Sequence, residues 1–144
     1  MGIAVQELLD FVGIETDHIA IRTSLYEGIE HRGTQVQVHG LNYLIKNVSR
    51  DDHLLVVDDV FDTGLSIDAI LEELRRRCRL NLPKDVRVAT AYYKPENNKT
   101  NRMPDFYVHE AHEWLVFPHE IKGLSLEEIY NNKKGLGKIL KRYL

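Results

Sequence analysis

The chain lacks several features that would assign it to large classes of protein. Among its 144 residues there is one cysteine, Cys78, so no internal disulfide can form and a disulfide-stapled secreted scaffold is excluded. No apolar run approaches the roughly 20 residues that a bilayer-spanning helix needs. A charged, apolar and small-residue leader is missing from the first residues. Met1-Gly2 opens like a myristoylation site, but Gln6 stands where that pattern wants Ser or Thr. Excess positive charge is lacking too: the formal net charge is −3, which gives no basic footprint for nucleic acid. Two Asn-x-Ser/Thr matches, at Asn47 and Asn98, are expected to be accidental, and the expected location is the cytoplasm.

What is present reads as an ordinary globular composition, 43% hydrophobic and 28% charged. The length suits one domain over residues 1–144, with a core over about 1–117 and a helical tail over about 118–144. The stretch that organises it is Leu54 to Ser66. Leu54-Leu55-Val56-Val57 is an apolar run of the kind found in strands buried on both faces of a parallel sheet. Asp58 and Asp59 follow at its carboxyl end, and Asp62-Thr63-Gly64-Leu65-Ser66 then leads into a helix. Ile67, Ile70, Leu71, Leu74 and Cys78 fall on one helical face, which makes Cys78 a buried structural thiol.

The order strand, acidic pair, small hydroxylated turn, helix has a chemical meaning. Small residues at a helix start expose backbone N–H groups and the positive end of the helix dipole, and Thr63 and Ser66 add hydroxyls, which suits a phosphate monoester. Asp58 and Asp59 can accept from vicinal hydroxyls or hold Mg²⁺. A phosphate at one end and a diol at the other describe a ribose 5-phosphate. Other acidic motifs fit less well. No G-x-x-x-x-G-K-[ST] accompanies the pair as a nucleotide-hydrolase would require, and a response-regulator receiver carries its acidic pair near the start of the chain. Asp62-Thr63-Gly64 also matches the aspartic-protease triplet, but the amphipathic run after it argues helix rather than an all-β fold.

Leu54 to Ser66 resembles the phosphoribosyl pyrophosphate (PRPP) signature of type I phosphoribosyltransferases, departing at Leu65, where the family often has Gly, and at Ser66, where it often has Thr. The resemblance implies an α/β fold: a central, mostly parallel sheet with helices on both faces. It extends to Lys94-Pro95, at the end of a strand expected over Val86 to Tyr93, and to Glu113-Trp114-Leu115-Val116-Phe117-Pro118. Both are similar to the 6-oxopurine branch of the family. There the Lys donates to the purine O6, an aromatic stacks on the base, and backbone near the next residue reads the group at C2. The roles implied are Asp62, Thr63, Gly64, Leu65 and Ser66 for the 5′-phosphate, Asp58 and Asp59 for the ribose hydroxyls, Asp59 for Mg²⁺, and Lys94, Trp114 and Leu115 for the purine. Asp62 would also be the catalytic proton acceptor at N7. The function implied is transfer of a phosphoribosyl group from PRPP to a purine base, with release of pyrophosphate; the alternatives are a nucleotide-binding regulatory module without turnover and an N-terminally incomplete enzyme. A homodimer is the expected partner, and neither nucleic acid nor membrane is.

The rest of the chain reads less specifically. Val5, Leu8, Leu9 and Val12 predict an opening helix stopped at Gly13. His18 to Arg22 reads as a short strand, Thr23 to Gly33 as a loop like the family's closing loop, and Thr34 to His39 as a half-exposed strand. This opening leaves out the first strand and the pyrophosphate-binding loop of the resembling enzymes. Leu41 to Val48 is ambiguous, Glu96 to Met103 is a polar loop, and Asp105 to Val108 reads as the final strand. His109, His112 and His119 lack the spacing of a zinc site, and Ser125 to Glu128 is a capping box.

Overall fold

The computed structural model describes residues 1–27, 34–117, 120–121 and 123–140. Its elements are α1 (Gly2–Phe11), β1 (Arg22–Glu27), β2 (Thr34–His39), α2 (Asn42–Asn47), β3 (His53–Phe61), α3 (Leu65–Cys78), β4 (Asp85–Tyr93), β5 (Phe106–Glu110), α4 (Leu126–Asn132) and α5 (Lys134–Leu140). Short 3-10 turns follow α3 at Arg79–Asn81 and β4 at Pro95–Asn97. The chain divides into two compact units, Met1–His112 and Glu113–Leu144.

In the first unit β3, β4 and β5 pair in parallel, in that order, and the α/β fold with a parallel sheet is the one expected. Among the described residues no strand pairs with the outer edge of β3. The apolar face of α3 supplies Ile67, Ile70, Leu71, Leu74 and Cys78 to the core, where they meet Val56 and Phe61 of β3 and Val88 and Tyr93 of β4. Burial pushes the Cys78 thiol pKa up, as befits a packed structural thiol.

β3 is longer than its apolar run. Pairing with β4 continues to Phe61 opposite Tyr93, so Asp58 and Asp59 lie within the strand and the turn begins only at Asp62. At the other end of the sheet, side chains fix the register. The Asp105 carboxylate accepts from the backbone N–H of Val88 at 2.8 Å and from Arg87 at 3.0 Å, while Arg87 also donates to Asp85 at 2.6 Å. Asp105 therefore stands just before β5 rather than in it.

Elsewhere both ends of the first expected strand move. The strand expected over His18–Arg22 begins only at Arg22, because β1 takes its partners from β2 and the register ends at Arg22 opposite His39. Thr23 to Glu27, read as loop, are thus strand, and residues 28–33 of the expected closing loop lie outside the described residues. Gly40 ends β2 at φ +92, where a Cβ would come within 3.1 Å of the Ala20 carbonyl oxygen. The ambiguous stretch forms α2, led by the fully buried Leu41. The opening helix forms as α1, with none of its residues buried.

The second unit carries α4 and α5. Ser125 caps α4 with the expected box: its hydroxyl accepts from the Glu128 N–H, and the Glu128 carboxylate accepts from the Ser125 N–H. The Lys133 ammonium donates to the carbonyls of Phe117 and Glu120, which ties α4 to the segment before it.

Candidate functional site

The parallel pairing of β3 and β4 determines where the chemistry gathers. Phe61 stands opposite Tyr93, so Asp62 and Lys94 leave the carboxyl ends of neighbouring strands side by side. The Lys94 N–H donates to the Phe61 carbonyl at 2.9 Å, which extends that register by one more residue. In open α/β sheets this end is where ligands bind.

The turn after β3 depends on one glycine. Gly64 has φ +77, in the left-handed region, and a Cβ there would come within 2.7 Å of the Phe61 ring and of the Thr100 hydroxyl. Its compact conformation starts α3 at Leu65, and no side chain caps that start. From the sequence, a phosphate is expected to meet the first-turn N–H groups and the hydroxyls of Thr63 and Ser66, and Leu65 and Ser66 are the residues that open α3. Leu65 is compatible with the turn, since it adopts the first helical position and its N–H still faces the Thr63 hydroxyl at 3.4 Å.

Asp58 and Asp59 lie in the second half of β3. The Asp58 carboxylate accepts from the Asp59 N–H at 3.0 Å, and its pKa is raised, chiefly by burial, with that backbone bond acting the other way. A half-buried carboxylate beside a second one is an oxygen donor set compatible with Mg²⁺, which takes few protein ligands and keeps the remainder for water and substrate oxygens. Lys94 is only 6% exposed, so a long cation is held within the protein at the end of β4.

The turn is backed by the loop after β4, which the sequence shows only as a polar stretch. Asn97 donates from its side-chain amide to one oxygen of the Asp62 carboxylate at 2.7 Å. The Lys99 N–H donates to the Thr63 carbonyl at 3.0 Å, and Arg102 lies 3.8 Å from Asp68 in the first turn of α3. No motif marks these contacts, which join residues more than 30 positions apart. The structure thus brings Asp58, Asp59, Asp62 to Ser66 and Lys94 into one unit. Trp114, 83% exposed, and Leu115 belong to the second unit.

Fold and arrangement together define an α/β domain whose acidic, hydroxyl and cationic groups gather at the carboxyl ends of paired parallel strands. Residues 6–128 match the phosphoribosyl transferase domain family, and the chain belongs to that family. A purine phosphoribosyltransferase from Pyrococcus horikoshii is similar in structure at 28% identity and a TM-score of 0.53, over 73% of this chain and 62% of its own. The chain thus spans less than two thirds of that protein's length. A hypothetical protein from Neisseria gonorrhoeae with bound ppGpp shares the fold at 20% identity and a TM-score of 0.62, over 93% of this chain and 75% of its own. No curated protein sequence matches. Among the described residues no helix is long and apolar enough to cross a membrane.

Proposed function

We propose that this domain transfers the phosphoribosyl group of PRPP to a 6-oxopurine base. In that reaction N9 of the base forms a bond to C1 of the ribose as the C1–oxygen bond to pyrophosphate breaks, and the proton leaves the base at N7. The observation that supports this reading best is the adjacency of the Asp62–Ser66 turn and the buried Lys94 at the ends of β3 and β4. Family membership and the likeness to a purine phosphoribosyltransferase support the reaction class.

The roles follow from donor and acceptor chemistry. Asp62 to Ser66 hold the 5′-phosphate, while Asp58 and Asp59 accept from the ribose hydroxyls. Mg²⁺, held by Asp59 and by substrate oxygens, would neutralise charge on the leaving pyrophosphate. Asp62 takes the proton from N7. Lys94 donates to O6, and a donor at this position disfavours the 6-amino group of adenine, whose own donors it would leave unpaired. For the second unit, the family resemblance assigns stacking on a base to Trp114 and reading of the group at C2 to the backbone at Leu115. The same reading includes a second copy of the chain as partner.

Exchange of Asp62 for Asn tests the central role. Turnover should fall by about 10²–10⁴, the usual worth of general base help, with PRPP binding largely retained. Unchanged turnover would remove Asp62 as the base. A second reading, a nucleotide-binding regulatory module without turnover, draws on the Neisseria protein that carries ppGpp on this fold. It predicts guanosine-nucleotide binding by the wild-type chain with no pyrophosphate release from any base.

A further inference from the structure

We propose that Asn97 is a positioning residue for the Asp62 carboxylate, an inference that rests on the reading of Asp62 as proton acceptor. The contact is one charge-assisted hydrogen bond: Asn97 Nδ2 donates to Asp62 Oδ1 at 2.7 Å. A carboxylate only accepts, so the amide nitrogen and not its oxygen faces Asp62.

The torsion that turns an aspartate carboxylate is broad and roughly two-fold. A partly exposed Asp62 with no fixed donor would present its lone pairs over a wide range of directions. Asn97 holds Oδ1 and leaves Oδ2 to face the base. An amide cannot itself take the proton, so the acceptor role stays with Asp62.

Asn97 is suited to this because its own loop is fixed at several points. Pro95 opens the 3-10 turn that carries it, with φ set by the ring. Just beyond, Asn98 satisfies the loop from inside: its amide nitrogen donates to the Arg102 carbonyl at 2.8 Å, and its oxygen accepts from the N–H and the hydroxyl of Thr100, both at 2.9 Å. The bond from the Lys99 N–H to the Thr63 carbonyl then fastens this loop to the phosphate turn. Asn97 is therefore presented to Asp62 by a braced loop, while being exposed enough that its replacement leaves the core untouched.

The test is a double-mutant cycle on pyrophosphate release and on the KM for PRPP, with thermal midpoints alongside. Asn97→Ala should lower kcat roughly tenfold, the loss expected of a hydrogen bond to a charged group. The KM for PRPP should stay within about twofold and the midpoint should not move, since what is lost acts on the chemical step. Asn97→Asp should cost more than Asn97→Ala, because it sets a second carboxylate against Asp62. On an Asp62→Asn background neither change should alter the residual rate. Equal losses in both backgrounds, equal effects of Ala and Asp, or a raised KM with kcat unchanged would each overturn the proposal. Where the Asp62→Asn rate falls below detection, the order of the two Asn97 variants and the kcat–KM split decide. Absence of turnover in the wild-type protein, or an Asp62→Asn variant as active as wild type, would instead refute the parent reading.

Discussion

Phe61 and Tyr93 face each other across β3 and β4 with ring centroids 5.7 Å apart and planes at 81°, an edge-to-face pair directly beneath Asp62 and Lys94. Phe61 is 1% exposed and also touches the space a Cβ on Gly64 would need. One side chain thus supports the sheet, the turn and the site. Phe61→Ala should cost about 3–5 kcal/mol in urea unfolding, the range for truncating a buried Phe. A loss below about 1 kcal/mol would mean that the pair does not carry the end of the sheet.

Gly64→Ala asks the turn to do what an L side chain resists. The left-handed backbone alone costs about 1–2 kcal/mol, and the clashes with Phe61 and Thr100 add to it. The expected result is a lower thermal midpoint together with a loss of nucleoside 5′-monophosphate affinity, read by calorimetry. Undiminished affinity would separate the turn from phosphate binding.

Thr90 lies in β4 opposite Asp58, 4% exposed, and its hydroxyl has no hydrogen-bond partner among the described residues. A buried unsatisfied hydroxyl costs about 1–3 kcal/mol, so Thr90→Val should be neutral or stabilising by up to about 1 kcal/mol. Thr90→Ser keeps the unsatisfied oxygen and loses the methyl, and should destabilise. The reverse order in denaturant melts would show that the hydroxyl is satisfied in solution.

Asp58 gives a pH signature. Its folded-state pKa is raised, mainly by burial, so the folded protein holds that proton more tightly than the unfolded chain does. The benefit of the protonated form is fully present below the ordinary carboxylate value and is lost as pH rises through the folded value. Asp58→Asn, permanently neutral, should therefore raise the thermal midpoint at neutral pH, and the gain should vanish in acid below about pH 4. A gain of constant size from acid to neutral pH would rule out desolvation as its cause.

The parts of this protein legible in its sequence are those set by short-range patterns. The apolar run Leu54 to Val57, the helical spacing from Ile67 to Cys78 and the β-formers from Val86 to Tyr93 each announce an element, and each forms. Where a boundary depends on a partner, the sequence is silent: β1 starts at Arg22 because β2 ends opposite it, and β3 runs on through two aspartates because β4 continues alongside. The acidic turn and Lys94 could be named from their order after two strands. Asn97 could not, since its meeting with Asp62, 35 positions away, exists only after β3 and β4 have paired.

The most direct measurement is pyrophosphate release by this chain from PRPP and Mg²⁺, with guanine, xanthine, hypoxanthine and adenine supplied separately. The account predicts release with at least one 6-oxopurine and none with adenine. Release with adenine alone, or with no base at all, would contradict it.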